Sequence, residues 1–214
     1  MHVKPYAEDE LLLQAVMRDG QPRIRVYRPE QTTVVLGRGS NPEIELNLEA
    51  CQADGVALLR RRGGGCAVVL DSGNVVVSVA VAAEGLNHTL RRFELISDWL
   101  LKHIQGMGYR DVYRDGTCDL VLDERKVGGA CVYRSLGLIL FSATLLISPD
   151  IENIERYIKH PPREPHYRGG RAHRDFLRGL AVQSGVGGIE TFVAKLDDRL
   201  EINDLPPLVT AATY

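Results

Sequence analysis

The sequence predicts an α+β fold, a single domain over residues 1–214 built on a large mixed or antiparallel β-sheet flanked by helices. Three observations lead there. Helical and extended segments come in blocks (helix, strand run, helix, strand run, helix) instead of alternating one for one. The stretch GLILFSATLLIS at 137–148 is long and apolar, as a central strand is. The 214 residues, 44% hydrophobic and 25% charged, suffice for a proper core and contain no internal repeat or long linker.

Taken in order, residues 8–18 carry Leu11, Leu12, Ala15 and Val16 at helical spacing, with Gly20 as the stop. RIRVYRP (23–29) alternates apolar and charged residues as a half-buried strand does, and TTVVLGR (32–38) is continuous and β-branched. A Gly-Ser-Asn-Pro turn at 39–42 leads into a short helix over 43–53, and 56–59 is a brief strand ending at Arg60. AVVL (67–70) and NVVVSVAVA (74–82) read as an antiparallel pair turning at Asp71-Ser72-Gly73. Asn87 or Thr89 caps a helix whose apolar face runs Leu90, Phe93, Ile96, Trp99, Leu100 and Ile104, with Trp99 in the core. Strands are expected near 111–114, 118–122, 126–133 and 137–148, then a helix at 150–158 broken by His160-Pro161-Pro162. Residues 163–170 have loop composition, 172–180 reads as a short helix, 185–188 as a glycine-rich turn and 189–200 as the last helix. The core then spans about 8–200, and 203–214 is a tail.

A net charge of −2 gives no general affinity for nucleic acid or an anionic membrane. The basic clusters at 60–62 and 163–178 are therefore read as sites. The first residues lack a signal-peptide layout, and no apolar stretch approaches the roughly 18 residues of a membrane span. Cys51, Cys66, Cys118 and Cys131 show no paired spacing, which suits reduced thiols in a cytoplasmic protein. The six histidines form no HxxxH or HExxH pair, so no metal site made by protein ligands alone is expected.

The chemistry concentrates in Arg60-Arg61-Arg62-Gly63-Gly64-Gly65-Cys66. Glycines allow positive φ and close approach to a ligand, successive turn N–H groups can hold an anion, and arginine suits phosphate or carboxylate. The same residues also fit a plain hairpin with solvated arginines. A second segment, DERKVGGA at 123–130, puts Lys126 beside Gly128, Gly129 and Ala130, small enough for a ligand to lie against the strand.

RRRGGGCAVVLDSGN (60–74) resembles the RRxSGGGAVxHDxGN signature of the lipoate–protein ligases and octanoyltransferases. DERKVGGA resembles that family's DxRKxSGSA segment, the source of its single catalytic lysine. VVLGRGSNPEIELN (34–47) resembles VVIGRxQNPxxECN, and TLLIS (144–148) falls where the family has TLLLN. The four segments are collinear over roughly residues 10–180.

The resemblance implies a sheet-and-helix catalytic domain shared with the biotin–protein ligases, related to the class II synthetases. It implies ATP-dependent activation of lipoate or octanoate to an acyl-AMP, with Mg²⁺ and release of pyrophosphate. The acyl group then passes to a lysine of a lipoyl-carrier domain, such as a 2-oxoacid dehydrogenase E2 or a glycine-cleavage H-like protein. Residue by residue, it implies Arg61 at the ligand carboxylate or phosphate, and Gly63, Gly64, Gly65 and Cys66 lining the acyl tunnel near the adenylate. It places Asn74 near the adenylate and Lys126 on acyl carbonyl and phosphate oxygens. Asp119 stands where the family has an Asn-Asp pair, to orient phosphate, Mg²⁺ or the incoming lysine, or simply to end a strand. Val68, Val76 and Val77 fit either the core or the wall of an aliphatic tunnel.

Departures from the pattern are Gly63 for serine, Cys66 for the third glycine, Leu70 for histidine, and Phe141-Ser142-Ala143 where His-His-Gly is frequent. An octanoyltransferase would need a thiolate to carry the acyl group. No cysteine follows Cys131, which excludes the branch with a Pro-Cys-Gly nucleophile and leaves Cys118 and Cys131 as candidates. The biotin-ligase Gly-Arg-Gly-Arg loop is absent. A non-catalytic lipoate-binding relic is a third reading, against which the joint presence of Arg61, Asn74 and Lys126 argues. Because the best-known ligases carry a C-terminal accessory domain beyond this length, the chain is expected to act alone or with a separate small accessory chain.

Overall fold

The computed structural model describes residues 2–83, 89–135, 137–180 and 188–207. In chain order these form β1 (Lys4–Pro5), α1 (Ala7–Asp19), β2 (Arg23–Tyr27), β3 (Thr33–Leu36), α2 (Pro42–Glu45), α3 (Leu48–Ala53), β4 (Ala57–Arg60), β5 (Val68–Leu70) and β6 (Asn74–Ala82). There follow α4 (Thr89–Gly106), β7 (Tyr113–Asp115), β8 (Asp119–Leu122), β9 (Arg125–Ser135), β10 (Leu138–Leu146), α5 (Ile151–Tyr157), α6 (His173–Phe176) and α7 (Ile189–Arg199). The fold is α+β, with sheets flanked by helices.

Two sheets carry it. The larger has the order β2-β6-β10-β9-β8-β7 with every pairing antiparallel, and the smaller is mixed, β1-β4-β3-β5. β10 lies third of six, as its apolar sequence predicts. Its alternate residues Ile139, Phe141, Ala143 and Leu145 pack with Val75, Val77 and Val79 of β6 against Phe93, Ile96 and Leu100 of α4. Trp99 belongs to this core. A second cluster joins Val34, Leu36, Leu58 and Val69 of the small sheet to Cys51, Ile154 and Tyr157 of its helices. A third, Tyr6, Val35, Leu70 and Val76, lies where the two sheets face each other.

The sequence reading is corrected at several points. β5 and β6 are not a hairpin: β5 pairs with β3, and β6 with β2 and β10. The turn between them crosses from one sheet to the other and is locked by its own side chains. Gly73 N–H donates to Asp71 Oδ1 at 2.7 Å, Asp71 N–H to Asn74 Oδ1 at 3.1 Å, and Asp150 N–H to Asp71 Oδ2 at 3.0 Å. A side chain at Gly73 would meet the Ser148 carbonyl oxygen at 1.9 Å, so the turn is pressed beneath the end of β10. The helix expected over 43–53 is two helices, because Asn47 leaves the helical conformation and caps the second one through Ala50 N–H. The 172–180 helix shrinks to α6, and the two-residue strand β1 carries no signal in the sequence. In α1 the buried face is Leu12, Leu13 and Val16, whereas Leu11 is exposed. Asn87, residues 185–187 of the expected glycine-rich turn and the end of the tail lie outside the described residues.

Candidate active site

A cleft of about 850 Å³ opens between the two sheets, within the usual range for a small-molecule site. One wall is the 64–70 stretch, the floor is the β9–β10–β6 face around Gly129, Ser142, Thr144 and Val76, and the opposite wall is the 161–177 segment. Of the residues predicted for the site, Arg61, Gly64, Gly65, Cys66, Cys118, Asp119, Lys126, Gly128, Gly129, Ala130 and Cys131 all line it. Gly63 and Asn74 do not. Val68 and Val76 line the cleft, and Val77 packs in the core beneath the sheet.

The glycine loop follows the need for close backbone approach. A Cβ on Gly37 would lie 1.9 Å from the Gly65 carbonyl oxygen, and Arg38 N–H donates to Gly63 O at 2.9 Å. Gly65 has φ +91°, which an L side chain rarely adopts. Buried Glu45 accepts Ala67 N–H at 2.6 Å and lies 3.0 Å from Ser40 Oγ, tying the loop to α2. Gly63 is small for another reason: any Cβ would come within 2.5 Å of Cys131 Sγ on β9.

The three arginines fasten this loop. Arg60 donates to the carbonyls of Gly37 and Ser40. Arg62 makes a bidentate pair with Glu10 of α1, both contacts at 2.7 Å, and lies over the Tyr133 ring. Arg61 donates to the carbonyls of Val35, Gly64 and Cys66. Four of its five N–H groups are taken in this way, so Arg61 chiefly shapes the loop. Asn74 likewise serves the turn through Oδ1, and its Nδ2 is buried with no partner.

Lys126 and Asp119 meet because of a β-bulge. Asp119 pairs with Gly129 and Leu120 with Gly128, but Val121 pairs with Lys126, so Val127 is the extra residue. That slip returns Lys126 to the face of Asp119 and Gly129. Its ammonium then crosses Gly129 to reach Asp119 Oδ1 at 2.7 Å. A methyl at Gly129 would sit 2.9 Å from both Cε and Nζ of Lys126 and 3.2 Å from Asp119 Oδ1. Gly129 is thus the groove in which the lysine lies. The Lys126 carbonyl accepts Arg178 N–H at 3.0 Å, which pins the strand at that residue.

The opposite wall reads from sequence only as an arginine- and histidine-rich loop. Arg171 donates to the carbonyls of Tyr167, Arg168 and Glu124, clamping the wall to the β8–β9 turn. Arg168 is 4% exposed and lines the cleft; Nη2 has no partner, and burial pushes the guanidinium below its ordinary range. Tyr167 donates to Asp119 Oδ2 at 3.0 Å. Neither residue carries a sequence signal beyond the basic cluster.

Burial, reinforced by the Asp119 charge, pushes the Cys118 thiol up, the opposite of an activated nucleophile. Among the described residues no group of three or more His, Cys, Asp or Glu side chains is placed to hold a metal ion. No described helix is long and apolar enough to cross a membrane.

Known proteins resemble the chain in both sequence and fold. A Mycoplasma genitalium protein named "Probable lipoate-protein ligase A" is 27% identical over 152 residues, covering 71% of this chain and 45% of that protein. The chain spans less than half the length of the curated relatives it matches. A bi-partite lipoate protein ligase from Thermoplasma acidophilum, solved in a study that includes its E2 lipoyl domain, superposes with a TM-score of 0.72 at 22% identity. That match covers 92% of this chain and 79% of the other. A lipoate-protein ligase A bound with ATP superposes with a TM-score of 0.72 at 20% identity, covering 89% and 75%. The lipoyl protein ligase A/B catalytic-domain model matches residues 3–192. The chain belongs to that family.

Proposed function

We propose that the protein is an ATP-dependent lipoate–protein ligase, activating lipoate or octanoate to an acyl-AMP and transferring the acyl group to a lysine of a lipoyl-carrier domain. The observation that carries this reading is the Lys126–Asp119 pair, 2.7 Å apart at the floor of a largely apolar cleft. The cleft fits an aliphatic acid joined to a nucleotide: Val35, Val68, Leu70 and Val76 suit the chain, and cations suit the phosphate.

In the first step the acid's carboxylate attacks the α-phosphorus of ATP and pyrophosphate leaves. In the second the carrier amine attacks the acyl carbonyl and AMP leaves. Lys126 has three N–H donors. One is held by Asp119, leaving two for the acyl carbonyl and a phosphate oxygen, where negative charge grows. Arg168, whose Nε faces the Glu164 carboxylate at 3.4 Å, keeps Nη2 without a hydrogen-bond partner, a donor that a phosphate oxygen would satisfy. Asp119 orients Lys126, and its negative charge attracts the carrier lysine, which attacks as the neutral amine after losing a proton to solvent. Among the described residues no group of three or more His, Cys, Asp or Glu side chains is placed to hold a metal, so Mg²⁺ would be carried by the ATP phosphates, whose charge it would screen.

The transferase alternative needs an acyl thioester on Cys118 or Cys131, and the raised Cys118 thiol works against it. Pyrophosphate release measured with lipoate, ATP and Mg²⁺ tests the proposal. Release that requires lipoate supports it. Acyl transfer from octanoyl-carrier protein without ATP, through a cysteine adduct seen by mass spectrometry, would replace it.

A further inference from the structure

The lysine is connected to the far wall of the cleft through one carboxylate. Lys126 Nζ holds Asp119 Oδ1 at 2.7 Å, and the Tyr167 hydroxyl donates to Oδ2 at 3.0 Å. The Asp119 side chain is 10% exposed, so these donors largely take the place of water. Burial and the Asp119 charge raise the phenol of Tyr167 far above its ordinary range, which keeps the hydroxyl a donor. The tyrosine is a fixed part of its wall. Its ring lies 5.1 Å from that of Phe176, and its carbonyl accepts from Arg171 at 2.7 Å.

We propose that Tyr167 is a positioning residue, acting through Asp119 to fix Lys126 and making closure of the 161–177 wall and readiness of the lysine one event. The inference rests on the ligase reading for what Lys126 does. Without the hydroxyl, Asp119 Oδ2 loses its donor from the wall and the carboxylate can turn away from the lysine. Linkage makes the effect reciprocal: whatever loosens Asp119 also loosens the wall.

Tyr167→Phe keeps the ring packing on Phe176 and removes only the hydroxyl. Trypsin, which can cut after Arg163, Arg168, Arg171 and Arg174, reads closure of the wall in the ligand-free chain. Tyr167→Phe and Asp119→Asn are each expected to speed this cleavage roughly tenfold, as loss of a hydrogen bond to a charged group would, and the double variant no further. In lipoylation assays Tyr167→Phe should lower kcat roughly tenfold to a hundredfold with KM for lipoate little changed, and Asp119→Asn/Tyr167→Phe should be no slower than Asp119→Asn. A loop tether with no link to the lysine would leave kcat alone and multiply with Asp119→Asn. Wild-type cleavage and turnover in Tyr167→Phe, or multiplying effects, would overturn the proposal. If Tyr167→Phe fails to fold, cleavage of the wall in Asp119→Asn decides: wild-type resistance there counts against the coupling. An inactive wild type would overturn the ligase reading, while the cleavage pattern would still decide the coupling.

Discussion

Both walls of the cleft carry arginines bound to backbone carbonyls, but only one of them also packs backbone directly on backbone. The 60–67 wall adds backbone packed on backbone to its arginine clamps: Gly37 and Gly65 approach so closely that a single methyl would strike a carbonyl oxygen at 1.9 Å. The 161–177 wall is held mainly by side chains, with Arg171 reaching three carbonyls and Tyr167 reaching Asp119. The first wall cannot yield by small adjustments, whereas the second rests on bonds that can open one by one. In the proposed reaction a rigid surface would shape the acyl chain, and an openable one would admit the nucleotide and release AMP. Lys126 lies between them, carried by a β-strand of the floor.

Substitutions at the floor and then at each wall sharpen this contrast. Lys126→Ala should cost the largest factor, about 10²–10³ in turnover, the usual loss when one donor to developing charge is removed. Circular dichroism should show the fold unchanged. Gly129→Ala puts a methyl 2.9 Å from Lys126 Nζ and should cost about 10² in turnover by displacing the ammonium. Wild-type kinetics for this variant would mean that the lysine acts from another position.

Gly37→Ala attacks the rigid wall, and overpacking there should destabilise the protein by about 1–3 kcal/mol. A calorimetric Tm lower by about 2–4 °C per kcal/mol is the expected sign. Arg171→Ala attacks the openable wall. It should raise KM for ATP several-fold while lowering stability by only about 1–2 kcal/mol, since backbone carbonyls at a surface can turn to water. If Gly37→Ala changed KM for ATP and Arg171→Ala did not, the division of labour between the walls would be reversed.

The same contrast explains what the sequence disclosed. The glycine wall is a local pattern, so spacing and family resemblance located 60–74, and most of its residues do line the cleft. Their jobs were less legible. Arg61 reads as a ligand contact because a guanidinium suits phosphate, yet it spends four N–H groups on carbonyls, those of Gly64 and Cys66 in its own loop and that of Val35 on β3. Asp119 and Lys126 stand seven positions apart in the sequence. Their meeting depends on the bulge at Val127 and on a tight turn in which Asp123 and Glu124 both have positive φ, 49° and 57°. Such a turn favours Asn-Gly, and Asp-Glu gives little sign of it. The second wall has no periodicity because its order comes from arginines on carbonyls, so it reads as loop. Asp71-Ser72-Gly73 misled in the other direction. It has the composition of a hairpin turn, but its side chains bind the turn itself while the chain changes sheets.

In the proposed reaction Lys126 drives ATP-dependent acylation of a carrier lysine. Intact-mass analysis of a lipoyl-carrier domain incubated with the protein, lipoate, ATP and Mg²⁺ tests it directly. One lipoyl adduct on the carrier is expected, lost when ATP is omitted or Lys126→Ala is used. An adduct that forms without ATP, or that persists with Lys126→Ala, would contradict it.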